Sequence, residues 1–304
     1  MDSPVEVPLI GGNVSHVVRI GDSVRRMPSV ASEAIERLLN HPTIADLPWV
    51  PDHFGFDDQG RERIQFVPGT VPHGEPDWLW TEHILLQVAA KLREWHDATI
   101  GFDRTNTNWN LTTRSPDEVI CHNDFAPYNL VFEGEQIVGL IDFDTCAPGP
   151  RIWDIAYAAY KIVPLVPLDA RSRVKDNSSR LYDAELIGRL DVFLKCYAGQ
   201  DKSLMYSVEH TITTASERLL VLADWTAAAA RKTRNSELLS HESMYRLHSS
   251  WLKNPMQMTI RWRDRSCQPS NLQVFDEPLN PRRNARSKRL TLVFRTRFRF
   301  ASPG

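Results

Sequence analysis

Hydrophobic and polar residues follow two periods along this chain, an alternating one near the start and a helical one from about residue 80 onward. The segment "HVVRIGDSVRRM" has two short runs of strand-favouring residues around Gly21-Asp22. A two-residue Gly/Asp turn between such runs predicts a β-hairpin. The next segment, "ASEAIERLLNH", predicts a helix with four apolar residues on one face: Ala34, Ile35, Leu38 and Leu39. "RIQFVPGTVP" then predicts a strand ending at Pro68-Gly69, where the chain can pass to a second lobe.

The remainder of the chain is mainly helical in pattern. "TEHILLQVAAKLREWHDAT" repeats apolar residues at three- and four-residue spacing: Ile84, Leu85, Val88, Leu92 and Trp95. Two strands interrupt this part, "EVIC" and "QIVGLIDFD", and "NLVFEGEQ" supplies a turn through Glu133 and Gly134. The patterns therefore predict an α+β fold, with a small β-rich part followed by a larger helical part.

The charge is unevenly distributed. The 304 residues carry a net charge of −2, but residues 263–304 hold ten Lys/Arg and three Asp/Glu, which leaves 26 and 35 for residues 1–262. The body is thus acidic at −9 and the tail basic at +7. An acidic body argues against nucleic acid as the main partner and favours a cationic substrate. The tail, which contains the alternating "LTLVFRTRFRF", is interpreted as a poorly ordered terminal extension.

Cysteines and apolar runs exclude several further classes. The four cysteines form no C-x-x-C pair, so neither a zinc ribbon nor a disulfide scaffold is indicated: Cys121, Cys146, Cys196 and Cys267. The start "MDSPVEVPLI" lacks a basic region followed by an apolar one, and no apolar run approaches the ~20 residues that span a bilayer. We therefore expect a cytoplasmic enzyme or binding protein with no membrane partner.

The polar segment "HNDFAPY" lies between two of the predicted strands. A loop held by sheet at both ends is a common position for catalytic groups. Pairing of the two strands that follow would bring Asn129 close to Asp142, and an amide oxygen beside a carboxylate suits Mg²⁺ when phosphates supply other ligands. Asp124, on the same loop, is placed to accept a hydroxyl proton. The loop therefore predicts a base beside a metal-phosphate site.

The segment "HNDFAPYNLVFEGEQIVGLIDFDTCAPGPRIWDIAYAA" resembles the core of the aminoglycoside phosphotransferase and choline kinase-like family. Six residues fall on that family's pattern: His122, Asp124, Asn129, Asp142, Asp144 and Asp154. The resemblance implies a two-lobed protein-kinase-like fold, with a nucleotide-binding lobe over residues 1–69, a catalytic and substrate-binding lobe over 70–262, and the tail over 263–304. It also implies that Asp124 is the catalytic base and that Asn129 and Asp142 hold Mg²⁺.

A weaker resemblance over residues 10–70 implies the nucleotide site. The turn Gly11-Gly12-Asn13 would approach the ATP phosphates, and the adenine would lie against Phe66 and Val67. The family's third strand usually carries a phosphate-gripping Lys or Arg, and here the candidates are Arg25 and Arg26. The R-x-P spacing to Pro28 favours Arg26. An arginine at this position can hold phosphate oxygens in a bidentate manner.

Two features near these motifs are less decided by the sequence. The expected helix partner of Arg26 is Glu33 or Glu36, and the spacing does not choose between them. Asn123 stands where the family most often has glycine, although asparagine tolerates left-handed geometry better than most residues.

Several motif residues have a structural interpretation. A structural role that orients the loop is favoured for His122, and a helix cap or scaffold role for Asp154. Asp144 is interpreted either as a solvated charge at a strand end or as a group that would contact the metal ligands. Cys121 and Cys146 are interpreted as small core residues.

The function these observations favour is transfer of the γ-phosphoryl group of ATP to a hydroxyl of a small molecule, with aminoglycoside-like and amino-alcohol acceptors as the leading class. The alternative is a nucleotide-binding pseudokinase without transfer activity, suggested by the arginine in place of lysine. A protein kinase is disfavoured because the chain reads D-F-D rather than D-F-G. The acceptor, the choice of ATP or GTP and the oligomeric state are left open.

Overall fold

The computed structural model describes residues 6–9, 17–166, 183–233 and 236–253. The predicted turn Gly11-Gly12-Asn13 and the basic tail at 263–304 lie outside these ranges.

The first part is an antiparallel sheet with the strand order β1-β2-β3-β5-β4. Its strands are β1 (Val7–Pro8), β2 (Val18–Ile20), β3 (Ser23–Arg26), β4 (His53–Phe56) and β5 (Glu62–Gln65). The predicted hairpin is confirmed, with Ile20 opposite Ser23 and Gly21 at a φ of 61° in the turn. A side chain would be strained at this φ, so glycine suits the turn.

Two helices connect β3 to β4: α1 (Ser32–Leu39) and α2 (Pro42–Ala45). The predicted helix is confirmed by α1, and the four predicted apolar residues are at most 2% exposed. This apolar face enters the main hydrophobic core, which also includes residues of the helical part. The sheet is therefore anchored to the rest of the protein through α1.

The second part is mainly helical and contains two small two-stranded sheets, β6 with β9 and β7 with β8. The helices are α3 (Glu82–Thr99), α4 (Arg151–Ile162), α5 (Asp183–Ala198), α6 (Val208–Thr233) and α7 (Ser236–Leu252). The strands are β6 (Val119–Cys121), β7 (Leu130–Glu133), β8 (Gln136–Leu140) and β9 (Ala147–Gly149). None of the helices in the described ranges is long and apolar enough to cross a membrane.

Helix α3 forms the centre of this part. Its hydroxyl cap is Thr81, which accepts a hydrogen bond from the Ile84 amide at 3.4 Å. The indole of Trp95, fully buried, donates to the Ile120 carbonyl of β6 at 2.8 Å. This bond and the apolar face around it fix the strand that leads into the polar loop.

The connection between the two parts packs on the β7–β8 hairpin. Thr70 and Phe132 exchange two backbone hydrogen bonds of 2.8 Å. Gly69 has a φ of 142°, and a Cβ there would lie 2.6 Å from Val131 Cγ1 and 2.7 Å from the Phe132 carbonyl oxygen. Only glycine fits this approach, so the Pro68-Gly69 junction is sterically coupled to the hairpin.

Candidate active site

The polar loop between β6 and β7 is held by a buried carboxylate. Asp154, in the first turn of α4 and 0% exposed, accepts from the backbone N–H groups of His122 at 2.7 Å and Asn123 at 3.0 Å. Burial alone would raise the pKa of Asp154, but its hydrogen bond with His96 and the surrounding positive charges lower it. Asp154 therefore organises the loop and is more than a helix cap.

Asn123 adopts a left-handed backbone with a φ of 62°. Its side-chain nitrogen donates to the Thr145 carbonyl at 3.0 Å, and its side-chain oxygen accepts from Nη1 of Arg218 at 3.1 Å. Nη2 of the same arginine donates to the Asn123 carbonyl. Asparagine thus occupies the left-handed position, as expected, and is clamped there by an arginine of α6.

Both carboxylate oxygens of Asp124 are engaged by neighbouring side chains. The Asn129 amide nitrogen donates to Oδ2 at 2.9 Å, and the Tyr128 hydroxyl donates to Oδ1 at 2.5 Å. The same amide nitrogen also donates to the Asp124 carbonyl at 2.9 Å. The aspartate is 5% exposed and is held in one orientation within the loop.

The hairpin brings Asn129 and Asp142 together, as the spacing predicts. Leu130 of β7 lies opposite Leu140 of β8, and the Ile141 amide donates to the Asn129 carbonyl at 2.9 Å. Asp142 follows directly, in a left-handed conformation with φ 69° and ψ 66°. A non-glycine residue held in this region stores strain, which is common at functional sites.

The donor set fits a hard cation. The Asn129 nitrogen is used in both bonds to Asp124, so its amide oxygen is the atom that can ligate a metal beside the Asp142 carboxylate. Carboxylate and amide oxygens are ligands that Mg²⁺ accepts when phosphates complete its shell.

Arg26 of β3 links the sheet to the turn that follows Asp142. Its Nε donates to Glu62 at 2.6 Å and its Nη1 contacts Asp144 at 2.7 Å. Burial opposes its charge, but Asp144 and Glu62 outweigh that effect and raise the pKa of Arg26. Its Nη2 is buried without a hydrogen-bond partner among the described residues. An unsatisfied guanidinium nitrogen close to Asp142 and Asp144 suits a phosphate oxygen.

The neighbouring Arg25 has other contacts. It donates to Ser23 at 2.7 Å and lies 3.5 Å from Asp57. Burial and the charge of Arg63 lower the pKa of Arg25. These contacts keep Arg25 within the sheet, whereas Arg26 reaches Asp144.

The expectation of a helix glutamate as partner of Arg26 is wrong. The partner is Glu62, which lies opposite Arg26 in the β3–β5 register, is 0% exposed and also contacts His53 at 3.4 Å. Burial would raise the pKa of Glu62, but its contacts with His53 and Arg26 lower it. The sequence pattern could not reveal this pair, because 36 residues separate its members and only the strand register joins them.

Phe66 and Val67 lie at the junction of the two parts. Phe66 donates its amide proton to the Asp22 carbonyl at 2.7 Å, and the guanidinium of Arg19 stands 3.8 Å from its ring centroid. A Cβ on Gly139 of β8 would be 2.6 Å from Val67 Cγ1. The segment is thus packed between the sheet and the hairpin.

His122 and the cysteines lie in the core. The ring of His122 is fully buried against the rings of Trp95, Phe125 and Phe143 at 5.5–6.3 Å, and burial lowers its pKa. Burial raises the pKa of Cys121 and Cys146, so both remain thiols. Cys121 lies within 4.8 Å of ligand atoms of His96 and Asp154. Asp154 already accepts the hydrogen bonds that hold the loop, and the ring nitrogens of His96 bond to Tyr197 and Asp154.

Three residues at the site were not anticipated. Tyr128 donates to Asp124, Tyr157 of α4 bonds to the Tyr128 hydroxyl at 2.9 Å, and Arg218 clamps Asn123. Tyr128 could have been suspected, since it lies inside the motif and shares its loop. Arg218 left no signal, because it belongs to a helix 95 residues away.

Comparison with known proteins concerns the family and the fold of the chain. The model of the Phosphotransferase enzyme family matches residues 26–185, more than half of the chain. The trifolitoxin immunity protein of Rhizobium leguminosarum bv. trifolii is 31% identical over 176 residues, which cover 56% of this chain and 66% of that protein. The matched region therefore spans just under two thirds of that relative.

Two solved structures are similar over most of the chain. A choline/ethanolamine kinase family protein from Mesorhizobium loti has a TM-score of 0.56 at 13% identity and covers 84% of this chain and 90% of its own. A choline kinase from Cryptosporidium parvum has a TM-score of 0.53 at 12% identity, covering 86% and 91%. At such identity the likeness establishes the fold, which is the two-lobed protein-kinase-like α+β fold. By its family match and its fold, the chain belongs to the phosphotransferase enzyme family.

Proposed function

We propose that this protein is a small-molecule kinase that transfers the γ-phosphoryl group of ATP to a hydroxyl of an acceptor. The observation that carries the proposal is the assembly of Asp124, Asn129, Asp142 and Arg26 around one loop and one hairpin. In phosphoryl transfer the protein mainly positions the reactants and neutralises charge, and these four residue types serve those tasks.

Each residue has a distinct role in the proposed reaction. Asp124 accepts the proton of the acceptor hydroxyl as the acceptor oxygen bonds to the γ-phosphorus and the bond from that phosphorus to the bridging oxygen of ADP breaks. Arg26 holds the α- and β-phosphates through its unsatisfied Nη2. Asn129 and Asp142 would hold Mg²⁺, which neutralises phosphate charge when bound. Asn129 also fixes the orientation of the Asp124 carboxylate through its hydrogen bond to Oδ2.

The rest of the nucleotide site remains a prediction. Gly11, Gly12 and Asn13 would approach the phosphates, and Phe66 and Val67 would contact the adenine. Cytoplasmic location and the division into lobes at residue 69 are predictions of the same kind.

One observation favours a second function, a pseudokinase that binds nucleotide without transfer. The Tyr128 hydroxyl occupies Oδ1 of Asp124, the oxygen that an acceptor hydroxyl would need. We favour the kinase because Asp124, Asn129 and Asp142 all retain the residue types that the chemistry requires, and a tyrosine hydroxyl can be displaced by an acceptor.

An acceptor panel separates the two functions. Wild-type protein is incubated with Mg·ATP and hydroxyl compounds of several classes, including amino alcohols, aminoglycosides, sugars and hydroxy acids, and ADP release is followed. The kinase predicts ADP release well above background with at least one class. Nucleotide binding with no acceptor-dependent release across the panel favours the pseudokinase, and the absence of Mg·ATP binding contradicts both.

A further inference from the structure

Three tyrosine rings surround one lysine beside the catalytic loop. The Nζ of Lys161 lies 5.2 Å from the ring centroid of Tyr128, 5.4 Å from that of Tyr157 and 5.2 Å from that of Tyr160. Tyr157 and Tyr160 are 3% and 5% exposed on α4. Tyr128 comes from the short turn Pro127–Asn129. We call the three rings the tyrosine cluster.

The tyrosine cluster adjoins the proposed base. The hydroxyl of Tyr128 lies 2.5 Å from Asp124 Oδ1 and 2.9 Å from the Tyr157 hydroxyl. The Tyr160 hydroxyl is fixed by His248 of α7 at 2.7 Å. A small acceptor whose hydroxyl reaches Asp124 therefore has its remaining groups close to these rings.

Aromatic faces attract cations, and cages of two or three rings are the usual way in which proteins bind quaternary ammonium groups. Here the equivalent position holds an ammonium group of the chain itself. Lys161 is four residues after Tyr157, a spacing that places both side chains on one helix face and favours this arrangement. An ammonium group of an acceptor would have to displace Lys161 and would meet its positive charge.

Two arginines lie against aromatic rings of α4. The guanidinium of Arg218 lies 4.5 Å from the Tyr157 ring centroid and 5.2 Å from that of Trp153, and Arg114 lies 3.8 Å from the latter. Neither arginine forms an ion pair with a carboxylate within the described ranges. The carboxylates of Asp154, which interacts with Arg218, and Asp124, which accepts from Tyr128, offset part of this charge.

We infer that Lys161 determines the acceptor class. Its ammonium group fills the tyrosine cluster, so the acceptor is a hydroxyl compound whose neighbouring group is anionic or uncharged, and choline-like acceptors are excluded. Selection of an acceptor rests on the proposed function, whereas the position of Lys161 among the three rings does not. The acidic body favoured a cationic substrate, but the ammonium group of Lys161 already occupies the tyrosine cluster and gives the opposite preference at this position.

The first experiment measures binding of tetramethylammonium and does not depend on catalysis. Lys161→Met keeps a side chain of similar length and removes the charge, so tetramethylammonium then has to displace only an uncharged, flexible side chain. We expect no saturable calorimetric binding of tetramethylammonium to the wild type at millimolar ligand. Lys161→Met should bind it saturably, with a Kd about tenfold or more below the lower limit set for the wild type. Lys161→Arg retains the cation and should behave like the wild type. So should Lys195→Met, since that lysine is exposed and pairs with Asp191.

Two results would overturn the inference. One is wild-type binding of tetramethylammonium as tight as that of Lys161→Met. The other is no binding of tetramethylammonium by a Lys161→Met protein whose thermal unfolding matches that of the wild type. The tyrosine cluster would then not be a cation-binding site.

The second experiment compares choline with glycerate as phosphoryl acceptors. We expect the wild type to favour glycerate in kcat/KM and Lys161→Met to shift the ratio toward choline by about tenfold or more. Wild-type preference for choline would contradict the inference. No transfer to any acceptor would contradict the proposed function instead, and the tetramethylammonium experiment would still decide the role of Lys161.

Discussion

The hydroxyl of Tyr128 donates to Asp124, and in the proposed reaction the acceptor hydroxyl would take its place. Tyr128→Phe keeps the ring and deletes this hydroxyl, so water can take its place. We expect ATP hydrolysis without acceptor to rise severalfold, with unchanged Mg·ATP affinity, measured by phosphate release. Tyr160→Phe is the matched control because its hydroxyl bonds to His248 rather than to Asp124. A lower rate in Tyr128→Phe would show that the hydroxyl promotes proton transfer instead of holding the position.

The two adjacent arginines of β3 provide a second comparison at the residue scale. Arg26 reaches Asp144 and has an unsatisfied Nη2, whereas Arg25 is bound to Ser23 and Asp57. Arg26→Ala should therefore raise the KM for ATP by about tenfold or more, as expected for loss of a charge-assisted contact, and Arg25→Ala should raise it less. Steady-state kinetics with varied ATP measures both. The reverse order would assign the phosphate contact to Arg25.

At the scale of elements, the β7–β8 hairpin must pack closely on the connection between the lobes. A Cβ on Gly139 would lie 2.6 Å from Val67 Cγ1 and 3.0 Å from Val131 Cβ. Gly139→Ala should lower the free energy of unfolding by about 1–3 kcal/mol, the usual cost of overpacking.

The control for this substitution is Gly188→Ala in α5. A Cβ there meets nothing within 4 Å, and alanine favours a helix by about 1 kcal/mol over glycine. Denaturant unfolding of both variants measures the difference. A Gly139→Ala protein as stable as the wild type would mean that the hairpin can move away from Val67.

The sequence predicted the elements that depend on contacts between residues close along the chain, and it missed those that depend on distant residues. The hairpin at Gly21, helix α1 and helix α3 followed from local period and turn chemistry, and so did the pairing that joins Asn129 to Asp142. Strand β9 was not foreseen, because "APG" has no strand pattern and its partner β6 lies much earlier in the chain, before the polar loop. The Glu62 and Arg218 contacts are likewise non-local, so no spacing along the chain indicates them.

At the scale of the whole molecule, two buried histidines link stability to pH. Burial lowers the pKa of both His96 and His122. Below pH ~6.5 the unfolded chain protonates these imidazoles and the folded chain does not. The unfolded state then binds more protons, so the free energy of unfolding falls as the pH falls, by up to about 1.4 kcal/mol per pH unit for each histidine.

Thermal unfolding between pH 8 and pH 5 tests this link. We expect the Tm to fall steadily below pH ~6.5. His73→Gln, which changes an exposed histidine, should leave the slope as in the wild type. A Tm that stays constant or rises over this interval would contradict the assignment of neutral, buried imidazoles.

In the proposed reaction Asp124 accepts the proton of the acceptor hydroxyl, while Asp142 binds the metal that contacts the nucleotide. Calorimetric titration of Mg·ATP, combined with ADP release in the presence of an accepted hydroxyl compound, separates these roles in the wild type, Asp124→Asn and Asp142→Ala. Asp124→Asn should bind Mg·ATP almost as the wild type does, with kcat lower by ~10²-fold or more. Asp142→Ala should lose both transfer and the Mg²⁺-dependent part of ATP binding. Equal ADP release by the wild type and Asp124→Asn would contradict the role of Asp124 as the base.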